Sequence, residues 1–177
     1  MALHPLQRKQ NIRASLEKHL QDTLHDVDGV EIRYPMVPFD PAGKDSWVEL
    51  WYFGKDTVRT FSRVEDDTPG ADTEILLHVY CFGRETDGSS AYVVEQVRDK
   101  VLGRLNDNVK IEVKDYATYG ESATTVEGYI RVRYEGEHLL PPSTALGGQV
   151  AIRAGESLTV LIMEFVLRYI EPFGVVG

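Results

Sequence analysis

Two apolar stripes at helical spacing, separated by runs that alternate with a period of two, constrain this chain more than any other feature. Ile12, Leu16, Leu20, Leu24 and Val27 recur every three or four residues and predict a helix from about Gln7 to Val27. Asp28-Gly29 stops it, because glycine enters the left-handed C-terminal conformation at little steric cost. Val94, Val97, Val101 and Leu105 form the second stripe; Ser89 or Ser90 supplies a cap, and Asn106-Asp107-Asn108 closes the helix.

The intervening runs read as strands. Val30, Ile32 and Tyr34 alternate with Glu31 and Arg33 up to Pro35, and Pro35, Pro38, Pro41 and Gly43 then make a stiff loop. Trp47 to Phe53 and Thr57 to Val64 flank Gly54-Lys55-Asp56, a spacing that predicts a hairpin turning at that glycine. Glu65 to Asp72 is polar and turn-rich. Ile75 to Phe82 is apolar enough for a strand covered on both faces. Beyond the second helix, Val109 to Asp115 and Thr124 to Tyr134 alternate again, with a loop over Tyr116 to Ser122.

Composition then changes at Glu135 to Ser143, where Pro141-Pro142 favours an extended arm, and Gly147-Gly148 adds a second flexible point. The last run, Ser157 to Ile170, fits both periods; its β-branched and aromatic content favours a strand. The expected fold class is α+β: a mixed, mostly antiparallel sheet or sandwich, two amphipathic helices packed on one face, and a C-terminal arm or strand. The expected division is 1–135 as the main domain and 136–177 as an extension packed on it or on a neighbour.

Composition narrows the chemistry. With 177 residues and 42% hydrophobic content the chain can bury one full core. Cys81 is its single cysteine, so neither an intrachain disulfide nor a thiolate metal cluster is available. No secretory leader pattern precedes the first helix, and Leu158 to Ile170 is too short to span a bilayer as a helix; a cytoplasmic site of synthesis and no membrane role are expected. A net charge of −9 opposes tight binding to nucleic acid, although Arg131 and Arg133, with Lys110 and Lys114, give a modest basic patch that reads as a solvated face or an intersubunit ion pair.

Catalytic motifs are missing from the sequence. Asp26-Val27-Asp28-Gly29 follows a half-polar helix rather than a buried strand, and position twelve of a calcium loop would be Val37, so it reads as an acidic helix exit. Glu65, Asp66, Asp67, Asp72 and Glu74 are the densest carboxylates, which read as solvated loop charge or as ligands for a hard cation. His4, His19, His25, His78 and His138 contain no zinc-binding pair. Cys81 and His78, three apart on one strand, point to opposite sheet faces. Walker, Rossmann and nucleophile-elbow signatures do not occur. Neither a cofactor nor catalysis is expected.

The order of elements resembles the tail terminator, or tail completion, proteins of long-tailed bacteriophages. The resemblance rests on the opening helix with Ile12-Arg13 and Leu16, the passage Tyr34-Pro35-Met36-Val37-Pro38, the hairpin strands, the strand Ile75 to Phe82, the helix Tyr92 to Leu105 and the paired strands ending at Tyr134. It covers roughly Arg8 to Glu135. It implies a hexameric ring that caps the tail tube, stops its polymerisation and offers a surface for joining the head, in a virion assembled in the host cytoplasm. The implied partners are further copies of the chain, the tube protein and a head-completion or neck protein, with DNA passing through the lumen without specific binding.

Ring formation requires one surface to fit a different one on the next copy. The candidate interface residues are Trp47, Trp51 and Phe53 on the aromatic strand, Glu65, Asp66, Asp67 and Asp72 on the acidic loop, Arg131 and Arg133, and Leu158 and Phe165 on the last strand. Strand addition at Trp47 to Phe53 and at Leu158 to Ile170 is one route; packing of the same aromatics in the hairpin core is the other reading. The alternatives are a different neck, head-closure or baseplate component, a small metal-dependent hydrolase using Asp66, Asp67 and Asp72, and a ligand-binding domain.

Overall fold

A computed structural model describes residues 5–62, 69–85, 89–140 and 157–170. The first helix, α1 (Pro5–Leu20), buries Ile12, Leu16 and Leu20. The backbone then widens into a π-helical turn (Gln21–His25), with the Asp26 N–H donating to the Gln21 carbonyl at 3.0 Å. Gly29, at φ +69°, turns the chain, and the Val30 N–H reaches back to the Leu24 carbonyl at 3.1 Å. The helix therefore ends short of the expected Val27, which is 69% exposed; Val30 takes its place in the core.

Six strands follow: β1 (Ile32–Arg33), β2 (Ser46–Ser62), β3 (Pro69–Glu85), β4 (Lys110–Lys114), β5 (Val126–Leu140) and β6 (Ser157–Ile170). They form one sheet in the order β1-β2-β3-β6-β5-β4. Only β1 and β2 run parallel. The second long helix, α2 (Ser90–Arg104), joins β3 to β4, and a short α3 (Tyr116–Tyr119) with a 3-10 turn (Gly120–Ser122) occupies the expected loop between β4 and β5. The fold is thus the expected α+β class, with both long helices on one sheet face.

That face holds the main core. Val48 and Leu50 of β2, Leu77, Val79 and Cys81 of β3, and Met163, Phe165 and Leu167 of β6 meet the stripes of α1 and α2. Gly83 brings α2 close to β3: a Cβ there would lie 2.5 Å from the Ser90 carbonyl oxygen and 2.8 Å from the Val94 nitrogen. The buried Ser90 and Thr159 hydroxyls hydrogen-bond at 2.8 Å beside that contact. At the other end, Asn11 of α1, fully buried, donates to Asp115 and Glu127 at 3.1 Å each and accepts from the Ala117 N–H at 2.8 Å. Its amide is satisfied, and it ties α1 to the β4–β5 connection.

Three expectations need correction. Gly54-Lys55-Asp56 is no hairpin turn: β2 runs through it, and the pairing passes from Phe53↔Leu76 to Thr57↔Glu74, so four steps on β2 match two on β3. The segment is taken up as an enlarged bulge, because β3 continues as a partner on both sides. The β2–β3 turn falls instead between Ser62 and Pro69, which pair, and Pro69 to Asp72 belong to β3. The break at Glu135-Gly136 is also a bulge, with Gly136 at φ +150°, and β5 resumes to Leu140. Lastly, β6 is no edge strand: it pairs with β3 on one side and β5 on the other, so both of its backbone edges are used.

Candidate functional site

The sheet face away from the helices carries a small second core, an exposed aromatic patch and a buried carboxylate. At its β2–β3 end, Trp47 stacks on Phe82 with ring centroids 4.6 Å apart and planes 6° from parallel, and Phe39 leans on the indole at 6.4 Å. Leu158 and Val160 complete this small second core, which Arg84 caps from above the Trp47 ring at 5.4 Å. Further along, Trp51, Phe53, His78 and Tyr80 make a continuous cross-strand aromatic patch, with Phe53 and His78 at 4.6 Å and Trp51 and Tyr80 at 6.3 Å. Nothing among the described residues covers this patch: Trp51 is 43% and Phe53 41% exposed.

Glu49 sits between the two indoles and is itself buried. The strand alternation sets Trp47, Glu49 and Trp51 on one face, and the carboxylate accepts from the Trp47 Nε1–H at 3.2 Å and the Trp51 Nε1–H at 3.4 Å. Arg33, its register partner on β1, donates to it at 3.1 Å. A buried carboxylate with a guanidinium and two indole donors orients both tryptophans: one inward, the other outward. A groove of about 410 Å³ opens beside it, between Trp51 and the Tyr34–Pro38 loop. Met36 at its rim is wholly exposed and holds φ +66°, a left-handed conformation uncommon for a side chain with a Cβ.

The expected interface residues divide accordingly. Trp47, Leu158 and Phe165 are interior side chains, fully or nearly fully buried; Phe165 faces the helices, while Trp47 and Leu158 fill the second core. They are not surface, because the alternation that places them on a strand does not say which stretch of a face a loop will cover. Trp51 and Phe53 are the exposed members. Arg131 and Arg133 are exposed on the same sheet face, near its opposite edge. Asp72 lies in β3, in register with Arg59, and Glu65, Asp66 and Asp67 lie outside the described residues. The sequence reading passed over Glu49, Tyr80 and Arg168, although the Trp-x-Glu-x-Trp spacing was the signal for the first.

Titratable groups on this face are few. His138 Nδ1 is 3.8 Å from a Glu164 carboxylate oxygen, and Glu164 is the register partner of His78. Burial pushes the His78 imidazole below its ordinary value; Glu164 opposes that shift and His138 adds to it. On the helix face, burial pushes the Cys81 thiol far above the usual range, and its Sγ rests 3.7 Å from Met163 Sδ. That thiol is protonated and unreactive at neutral pH. Among the described residues no group of three His, Cys, Asp or Glu side chains is placed to hold a metal, and no helix is long and apolar enough to cross a membrane.

No protein family and no curated protein matches the sequence. Among solved structures, a chain from the virion of a native gene transfer agent particle aligns over 92% of this chain and 96% of its own length, at 14% identity and a TM-score of 0.48. A second solved chain aligns over 93% and 98%, at 15% identity and a TM-score of 0.51. At that identity the second alignment shows a shared fold over nearly the whole of both chains.

Proposed function

We propose that this chain is a structural subunit of a phage-like virion, and specifically a tail-terminator-type protein whose copies form a ring on the end of the tail tube. The observation that carries the reading is the shape of the β2–β3 hairpin. Among the described residues, β3 beyond the register Thr73↔Tyr169 has no partner but β2, so Arg59–Ser62 and Pro69–Asp72 pair only with each other. A two-stranded ribbon is marginally stable in water on its own. Its persistence points to a partner that completes it, and its base runs directly into the uncovered Trp51–Phe53 patch. Exposed aromatic area next to unpaired strand edges is what subunit association uses.

The outer edge of β2 from Leu50 onward adds to this, since β1 covers only Val48 and Glu49. In the proposed ring that edge accepts a neighbour, the ribbon reaches toward the tube, and the head-completion protein meets the opposite surface. The alignment with a gene transfer agent virion chain fits the setting but does not bear on the ring. The role is one of assembly rather than catalysis. The net charge of −9 suits a passage through which DNA slides without adhering.

Electron microscopy of the purified chain, alone and mixed with tail tubes, tests the proposal. Rings alone or caps of one diameter on tube ends are expected. A chain that stays monomeric in light scattering at high concentration and leaves tube ends bare overturns it.

A further inference from the structure

Two stretches of strand edge lie open on opposite sides of the sheet. On β2 the Val48 N–H turns outward and donates to the Glu31 carbonyl at 2.9 Å, so the period of two turns Leu50 and Tyr52 outward as well. The register partners on β1 end at Glu49, and among the described residues no strand lies beside Leu50–Phe53 on that side. The other opening is on β5, one strand in from the far edge. There β4 covers Val126 to Arg131 and no further. The Tyr134 N–H is met by the Asp107 carboxylate at 2.9 Å, and beyond the bulge Gly136–Leu140 pairs with β6 alone. Glu135, Glu137, His138 and Leu139 are accordingly exposed, Leu139 to 55%.

The true edge strand, β4, is guarded against association. Lys110, Glu112 and Lys114 alternate along it, and the Ser15 hydroxyl takes the Lys114 N–H at 3.1 Å. The β2 edge has no such guard, since Leu50, Trp51, Tyr52 and Phe53 carry no charge and two of them are exposed. The charges that flank it are Arg13, 4.8 Å over the Tyr52 ring, and Arg33. The nearby carboxylates are engaged: Glu17 accepts from the Tyr52 hydroxyl at 3.1 Å, and Glu49 is buried. The β5 opening brings the opposite sign, with Glu135 beside Arg133 and Glu137 held by Arg98 at 2.8 Å.

Three antiparallel pairings separate β2 from β5, so the two run in opposite directions. Copies set head to tail around an axis along the strands keep both strand direction and sheet face. The β5 opening of one copy then meets the β2 opening of the next antiparallel. His138 and Leu140 fall on the side of Trp51 and Phe53, while Glu137 and Leu139 fall on the helix side, toward Tyr52 and Arg13. We infer that Gly136–Leu140 of one copy adds to the Leu50–Phe53 edge of β2 in the next as an antiparallel strand, which carries the sheet across the boundary between subunits. The contact joins two different surfaces and leaves each copy with one of each free, as a closed ring needs. It rests on the self-assembly proposed above and names the segment that meets the β2 edge.

Hydrogen exchange of the wild-type chain, read peptide by peptide before and after assembly on tail tubes, tests it. Amides within 50–53 and within 136–140 are both expected to slow roughly tenfold or more on assembly. Assembly that leaves either segment exchanging as in the free chain overturns the contact and leaves the ring reading intact. A chain that stays monomeric and leaves tube ends bare overturns the ring reading as well.

Disulfide trapping reads the pairing itself. His138→Cys is mixed in equal parts with Trp51→Cys or with Phe53→Cys, assembled and oxidised, while the native Cys81 stays buried. A bond joining position 138 of one variant to position 51 or 53 of the other is expected. Assembled mixtures in which neither pair is linked overturn the inference even where exchange has slowed, because the tube then supplies the protection. Where a variant fails to assemble, exchange in the wild-type chain decides.

Discussion

Gly83 shows how a single residue sets the distance between layers. Its missing Cβ lets the first turn of α2 lie against β3, and a methyl there would meet backbone atoms, which cannot swing aside as a side-chain end can. Gly83→Ala is expected to destabilise the fold by about 2–3 kcal/mol, read as a lower urea midpoint with an unchanged slope. Gly128 makes a different accommodation, since a Cβ there would meet the Tyr169 ring, whose hydroxyl donates to the Glu127 carbonyl at 2.9 Å. Neither role was legible in the sequence, where Gly83 carries no local sign of a close approach and Gly128 reads as one more alternating position. A close approach between segments far apart in the chain leaves no local signature. Trp47 and Trp51 make the same point: they share a strand face, and only the placement of Phe39 and Phe82 over one of them decides which is core.

At the scale of elements, the helices were readable and the strand ends were not. The stripes Ile12–Leu16–Leu20–Leu24 and Val94–Val97–Val101–Leu105 are buried as periodicity requires. Gly54 and Gly136 misled because a glycine in a polar triplet can turn a chain or bulge it, and the choice belongs to the partner strand. The elements are tied by a few directed contacts. Arg104 in the last turn of α2 holds Asp28, past the end of α1, through two hydrogen bonds of 2.8 Å. Those bonds hold the Asp28 carboxyl below its ordinary value against the opposing effect of burial. A depressed carboxyl stabilises the fold above its unfolded value, near pH 4, and that contribution disappears as the pH falls through the lower folded value. Asp28→Asn is therefore expected to lower the Tm at pH 7 and to leave it close to wild type once the pH has fallen below the folded value. Thermal melts across that range decide it. Glu17, raised chiefly by burial, acts in the opposite sense: its contribution weakens as the pH rises through its folded value.

For the molecule as a whole, the order of strands matters more than their number. A reading by composition divides the chain near residue 135, yet β5 crosses that point and β6 stands between β3 and β5. Without β6 the sheet falls into two pieces, and the Phe165 side of the core, with Met163 and Leu167, is gone. A fragment comprising residues 1–135 is expected to lack a cooperative unfolding transition, with near-ultraviolet circular dichroism flat where the full chain shows its buried tryptophan. A fragment that melts cooperatively would restore the two-part division.

The central place of β6 also bears on timing. While the chain is being made, β1-β2-β3 and β4-β5 can each pair locally, but the two halves have no common edge until residues 157–170 arrive to join them. Much of the pairing in the finished sheet is therefore long-range and late, a topology that folds slowly. In the proposed ring, a subunit reaches its final sheet only after residues 157–170 have joined the two halves, so that association between finished sheets begins only then.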